Sequence, residues 1–221
     1  MFRYFNYILK KNLPLMVLEQ VLLVLQTFYM LNLYRIYTSF MGIHYLLLLI
    51  LALTTFSLFI IVLSNIFIKD LFTTQGYFIF TLPIKPINII VSKILLGVSF
   101  LIVNSSIPVI IDLVYYRYPI NINVNNLLSL FVFVSNIFIY MTIGYVFIII
   151  FKILFNSKLL TYILTAICLS IFTYFYTSLI VNFASFENIF SILNIIAISL
   201  DICAVVAIYL ISKVFDKKFT M

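Results

Sequence analysis

The chain has 221 residues, of which 66% are hydrophobic and only 9% charged. Soluble domains carry about a quarter of their residues as charges, so this chain has too little polar surface to face water, and its solvent is a bilayer. The net charge of +7 comes from basic residues scattered at the ends of apolar segments; that scatter excludes a nucleic-acid surface, which needs them on one face, and suits anionic inner-leaflet lipid.

In chain order, residues 1–12 put Phe2, Phe5 and Leu9 on one helical face and Arg3, Asn6 and Lys10 on another, the pattern of a helix lying in the membrane interface. Six apolar spans follow, at 13–33, 45–68, 94–115, 127–151, 159–181 and 191–212. Each reaches the ~20 residues that cross about 30 Å of hydrocarbon. None alternates like a strand, and lipid cannot satisfy open backbone groups, so helix is the expected state. The first span has a basic start like a secretory signal, but it is too long for such an apolar region and no small-residue cleavage site follows, so it is expected to be retained. The expected fold is an all-α membrane protein of six transmembrane helices in one domain spanning 1–221.

Between the second and third spans, residues 69–93 combine charge, Gly and Pro. Pro83 and Pro86 lack an N–H and bias the residues before them away from helix. The expected form is a short amphipathic helix over 70–80, a turn at 82–85, and a new helix with Pro86 at its first position. Eleven of the thirteen Lys and Arg fall in the termini and in the segments on the same side as 69–93; Arg35 and Arg117 fall on the other. Short loops rich in these residues stay inside, so both termini are expected in the cytoplasm. The connections on the other side, at 34–42, 116–126 and 182–190, are short, so no soluble domain is expected, and no internal repeat is visible.

Chemistry-bearing residues are few. Cys168 and Cys203 stand alone in apolar runs and His44 is the one histidine, so no disulfide framework or metal-ligand spacing exists. Gly42, Gly76, Gly97 and Gly144 are too far apart for a phosphate loop, so this chain is not expected to cradle ATP. Without a nucleophile–base pair, it is not expected to be an enzyme. Three carboxylates remain in or beside spans: Glu19 about a third of the way in from the cytoplasm, Asp201 near the middle of the sixth span, and Asp112 near the outer end of the third. An ionisable group at such depth is expensive unless it faces a polar interior. Asp201 and Glu19 are each either a contact in a translocation path, as substrate or proton site, or a carboxyl hydrogen-bonded to Ser, Thr or Asn on a neighbouring helix. Pro108 interrupts the third span and is expected to kink it.

The string GYFIFTLPIKPINIIVSK at 76–93 resembles the cytoplasmic segment of ABC-2-type exporter permeases of Gram-positive bacteria. In that family a GY-x-x-FTLP phrase is followed by an apolar stretch and a Ser-Lys that opens a span. The matching positions here are Gly76, Tyr77, Phe80, Thr81, Leu82, Pro83, Ser92 and Lys93. The chain departs from the family at Gln75, where an acidic residue is usual, and at Ile84, Lys85 and Pro86, where Ser-Arg is usual. The resemblance implies a coupling helix that seats in a separate nucleotide-binding subunit, with Asp70, Gly76, Tyr77, Phe80, Thr81, Leu82, Pro83 and Lys85 facing it. It also implies that ATP and Mg bind on that subunit and no cofactor binds here, and that the permease pairs with a second copy or a sister permease in the plasma membrane. The implied activity is export of hydrophobic or amphipathic molecules such as antimicrobial or cytolytic peptides. A proton-coupled carrier using Asp201 and Glu19, and a non-transporting immunity or assembly factor, stay open as alternatives.

Overall fold

The computed structural model describes residues 2–33, 41–72, 85–116, 124–155, 157–183 and 189–219. Every element among them is an α-helix: α1 Phe2–Leu33, α2 Met41–Phe67, α3 Lys69–Phe72, α4 Pro86–Tyr116, α5 Val124–Phe155, α6 Lys158–Phe183 and α7 Ile189–Phe219. Five of the six long helices, α1, α2, α4, α5 and α6, are long and apolar enough to cross a membrane. This is the architecture of a multi-pass membrane protein. Each expected span coincides with one of the six long helices, the second running one residue past the end of α2. At 32 residues, α1 is about 48 Å long and exceeds the hydrocarbon thickness.

One expectation changes, and one lies largely outside the described residues. No break separates an interfacial helix at 1–12 from the first span, because α1 runs continuously through Pro14. Its inward stripe is Tyr4, Ile8, Asn12, Met16 and Glu19, with Phe5 and Leu9 partly buried at its side; Phe2 is exposed. Asn12 keeps its amide satisfied by donating to the Ile8 carbonyl at 2.9 Å. The helix expected over 70–80 is described only as the four-residue α3, and 73–84 lie outside the described residues. Pro86 does open α4 as its first residue, where its missing N–H costs nothing.

The helices pack in two groups of three. In the first, α1 lies against both α2 and α4; in the second, α5 lies against both α6 and α7; α4 joins the groups by packing on α5 and α7. The deepest packing gathers at one end of the bundle. There Tyr4 and Ile8 of α1, Val62 and Ile66 of α2, Ile89, Ile90 and Ile94 of α4, Tyr145 and Ile149 of α5 and Ile208 of α7 form one cluster. At its centre Gly97 lets α4 approach its neighbours: a Cβ there would sit 2.5 Å from the Phe67 ring and 3.1 Å from Met141 Sδ. The outward faces stay apolar, with Leu46, Phe56 and Leu159 exposed, as a lipid-facing surface permits.

Candidate functional site

Polar side chains buried in mid-helix mark where the bundle departs from simple packing. Glu19 is 2% exposed and lies near the midpoint of α1, which begins at Phe2. Asn104 of α4 donates its Nδ2–H to Glu19 Oε1 at 2.9 Å. Glu19 Oε2 and Asn104 Oδ1 are buried without a partner. Asn104 lies four residues before Pro108, which has no N–H to donate to the Asn104 carbonyl. The pair therefore presents several acceptors and few donors.

One turn after another along α1, Glu19, Leu23 and Gln26 share a face. The Thr55 hydroxyl of α2 lies 2.8 Å from Gln26 Oε1 and donates to it. Further along, the Tyr29 hydroxyl and His44 Nδ1 are 2.7 Å apart, which ties α1 to the start of α2 and places His44 in a structural contact. A cavity of about 420 Å³ opens beside these groups, lined by Glu19, Gln26, Thr55, Phe56, Phe59 and Asn104 among others. A second, of about 360 Å³, is lined by Leu23, Gln26, Met30, Pro108 and Asp112. α4 runs on through Pro108 as a helix, and the proline is a cavity wall. Asp112 is exposed.

The second group has a parallel arrangement with different surroundings. The Ser135 hydroxyl of α5 donates to Asp201 Oδ2 of α7 at 2.6 Å, and Oδ1 is buried without a partner. One residue along, Asn136 accepts from the Tyr176 hydroxyl of α6. Tyr140 and Phe172 stack edge-on at 5.5 Å, and Phe172 and Tyr176 stack at 5.9 Å. Ser135 and Asn136 thus connect Asp201 and the Tyr176–Phe172 ring pair to neighbouring positions of α5. A third cavity, about 260 Å³ and largely apolar, lies between α2, α5 and α6, and Asp201 is not among its walls. A hydrogen bond between Ser64 and Tyr162 lies at its edge.

Both membrane-depth carboxylates therefore hydrogen-bond to Ser or Asn on a neighbouring helix, and Glu19 in addition faces a cavity. The structure does not bring Glu19 and Asp201 together: they belong to different helix groups. Of the loop residues, Gly76, Tyr77, Phe80, Thr81, Leu82 and Pro83 lie outside the described residues. Asp70 lies in α3, and Lys85 is exposed just before α4.

Sequence reasoning missed Asn104, Gln26 and Thr55, and did not foresee the burial of Lys93. Asn104 carried a signal, since an amide in the middle of an apolar span is as informative as a carboxylate. So did the seven-residue spacing of Glu19 and Gln26, which places both on one helix face. Lys93 is 1% exposed with its ammonium 5.9 Å from the centre of the Tyr145 ring, and it lies a full two turns inside α4. Lys152 holds its ammonium 4.2 Å above the Phe72 ring. No group of three or more His, Cys, Asp or Glu placed to hold a metal occurs among the described residues. Comparison of the chain with protein-family models, with curated proteins and with solved structures gives no match.

Proposed function

We propose that the chain is the membrane-spanning subunit of an ATP-driven exporter of the ABC-2 type, with its nucleotide-binding subunit a separate chain docked on the 69–93 segment at the cytoplasmic face. One structural observation carries this reading: both feet of that segment stand in the most tightly packed part of the bundle. Leu71 and Phe72 on one side and Ile89 and Ile90 on the other belong to or pack on the central cluster, and Lys152 of α5 lies over Phe72. Displacement of a segment held this way would be passed to α2, α4 and α5 together, since packed interiors transmit strain instead of absorbing it. The resemblance of 76–93 to the permease phrase, and the lack of a phosphate loop in the chain, fit an engine supplied in trans.

The test is co-purification from native membranes with ATP hydrolysis as the readout. A Walker-motif ATPase should come down with the wild-type chain and be lost from Tyr77→Asp or Leu82→Asp, with both variants still in the membrane. Normal ATP-dependent transport by those variants would overturn the proposal. A second reading, the proton-coupled carrier, is favoured by the buried, half-satisfied Glu19. Transport that survives ATP depletion but collapses with the proton gradient would select it.

A further inference from the structure

The third cavity, of about 260 Å³, lies where the two helix groups face each other, between α2 of the first and α5 and α6 of the second. Ile60 and Ala166 are exposed on its walls, so it opens to the lipid around the bundle. On α2 its walls run from Ile60 to Ile68 and on α5 from Tyr140 to Ile148, an elongated space of about 12 Å along the helices. Its hydroxyls at Ser64, Tyr162 and Thr165 are already engaged. Ser64 and Tyr162 hydrogen-bond to each other, and Thr165 donates to the Thr161 carbonyl at 2.7 Å. Apolar cavities of roughly 150 Å³ stay dry and take up small hydrocarbons, so this larger, elongated one suits a hydrocarbon chain.

Charge stands at one end of it. On α5, Lys152 follows the wall residue Ile148 by one turn on the same face; on α6, Lys158 precedes the wall residue Tyr162 by one turn on the same face. Lys152 reaches across toward the first group, with its ammonium 4.2 Å from the centre of the Phe72 ring in α3, one turn past the wall residue Ile68. Lys158 is exposed. The apolar spans of α5 and α6 end at Phe155 and begin at Lys158, which puts both ammonium groups at head-group depth. A chain-shaped apolar space with two cations at its head-group end selects a molecule with a hydrocarbon tail and an anionic head. Basic pockets between membrane helices hold such head groups. We propose that this cleft binds one anionic phospholipid, with an acyl chain between α2, α5 and α6 and its phosphate against Lys152 and Lys158. Phe67 and Met141, which meet at Gly97, are also walls of the cavity, so the chain packs on the seam that joins the two groups. The site is independent of whether the chain is a transporter.

The test uses the full chain in nanodiscs of phosphatidylcholine, with no ATPase and no gradient. Two probes are compared at equal mole fraction, a phosphatidylglycerol and a phosphatidylcholine. Each carries a diazirine on one acyl chain, and each is cross-linked by light and mapped by mass spectrometry. Expected is saturable labelling of residues 60–63 and 166–169 by the anionic probe, about tenfold above the zwitterionic one. Raised salt should shrink that ratio. Lys158→Gln, a change at an exposed residue, should lower it to about threefold, and Lys152→Gln combined with Lys158→Gln should bring it close to one. Ala166→Phe, which places a ring in the cavity from an exposed wall, should remove labelling at 60–63 by both probes. Equal labelling by the two probes on the wild-type chain overturns the proposal. So does a ratio untouched by Lys158→Gln, or labelling spread evenly over the lipid-facing helices.

Discussion

The two three-helix groups hold the same device in different surroundings. In each, a carboxylate at mid-helix takes one hydrogen bond from a small polar residue of the neighbouring helix and keeps one oxygen unpartnered: Glu19 with Asn104 in the first, Asp201 with Ser135 in the second. Glu19 is in the lining of a cavity; next to the Ser135 that holds Asp201, Asn136 takes a hydrogen bond from Tyr176, whose ring stacks on Phe172. A buried carboxylate by itself therefore does not mark a path. What surrounds it depends on residues many positions away. Glu19 lines an open cavity, whereas Asp201, only half-buried, is tied to Ser135 of the neighbouring helix.

The sharpest way to disturb this comparison is to force the groups apart where they meet. Gly97 of α4 lies against Phe67 of α2 and Met141 of α5, and a Cβ would come within 2.5 Å of the Phe67 ring. Phe67 is 5% exposed and stacked on Tyr145 at 5.2 Å, so it has little room to yield. Gly97→Val should destabilise by about 3 kcal/mol, the upper end of the usual overpacking range. Thermal unfolding in mild detergent would show it, together with loss of expression. A variant that melts like wild type would mean that the two groups are not held against each other here.

Next in size is the loss of a single hydrogen bond at each carboxylate. Asn104→Leu leaves Glu19, 2% exposed, without its donor, and should cost about 2 kcal/mol because a buried charged group is stranded. The double variant Glu19→Leu with Asn104→Leu should recover much of that loss, since both polar partners then vanish together. Ser135→Ala should cost less, about 1 kcal/mol, because Asp201 is only half-buried. Equal losses at Asn104 and Ser135 would erase the distinction drawn between the two groups.

How much of this was legible beforehand depends on what lipid does to sequence patterns. The long helices and Pro86 as a helix start were plain, because length and hydropathy are all a span needs. Which face of each helix turns inward was not, because lipid tails are as apolar as a core and leave no hydrophobic stripe to read. The residues that do mark the inside are small or polar: Ser92, Thr142, Thr161 and Ser212 are all buried, and each reads as unremarkable in an apolar run. The stretch 1–12 misled for the same reason. Its Phe2, Phe5 and Leu9 look like the membrane-facing side of an interfacial helix, yet Phe5 and Leu9 pack against the core and Tyr4, Ile8 and Asn12 enter it. The cavity beside Glu19 was out of reach, since it is made by α1, α2 and α4 together and no single helix encodes an empty space.

The smallest expected effect tests whether the second group is as close-packed as its aromatic filling suggests. Gly144 lies on α5 facing α6, and a Cβ there would meet Leu169 at 3.5 Å and 3.8 Å, ordinary contact distances. Gly144→Ala therefore adds a methyl without a clash and removes some backbone freedom from a helix interior, a change that favours the helix by about 0.5–1 kcal/mol in water. Inside a membrane helix the unfolded chain is already helical, so that gain shrinks and the stability should stay within about 0.5 kcal/mol of wild type. A large loss would mean that α5 and α6 approach more closely than their contacts at Leu169 indicate. Phe67 and Leu169 would then impose the same limit, and the difference between the seam at Gly97 and the interior of the second group would disappear.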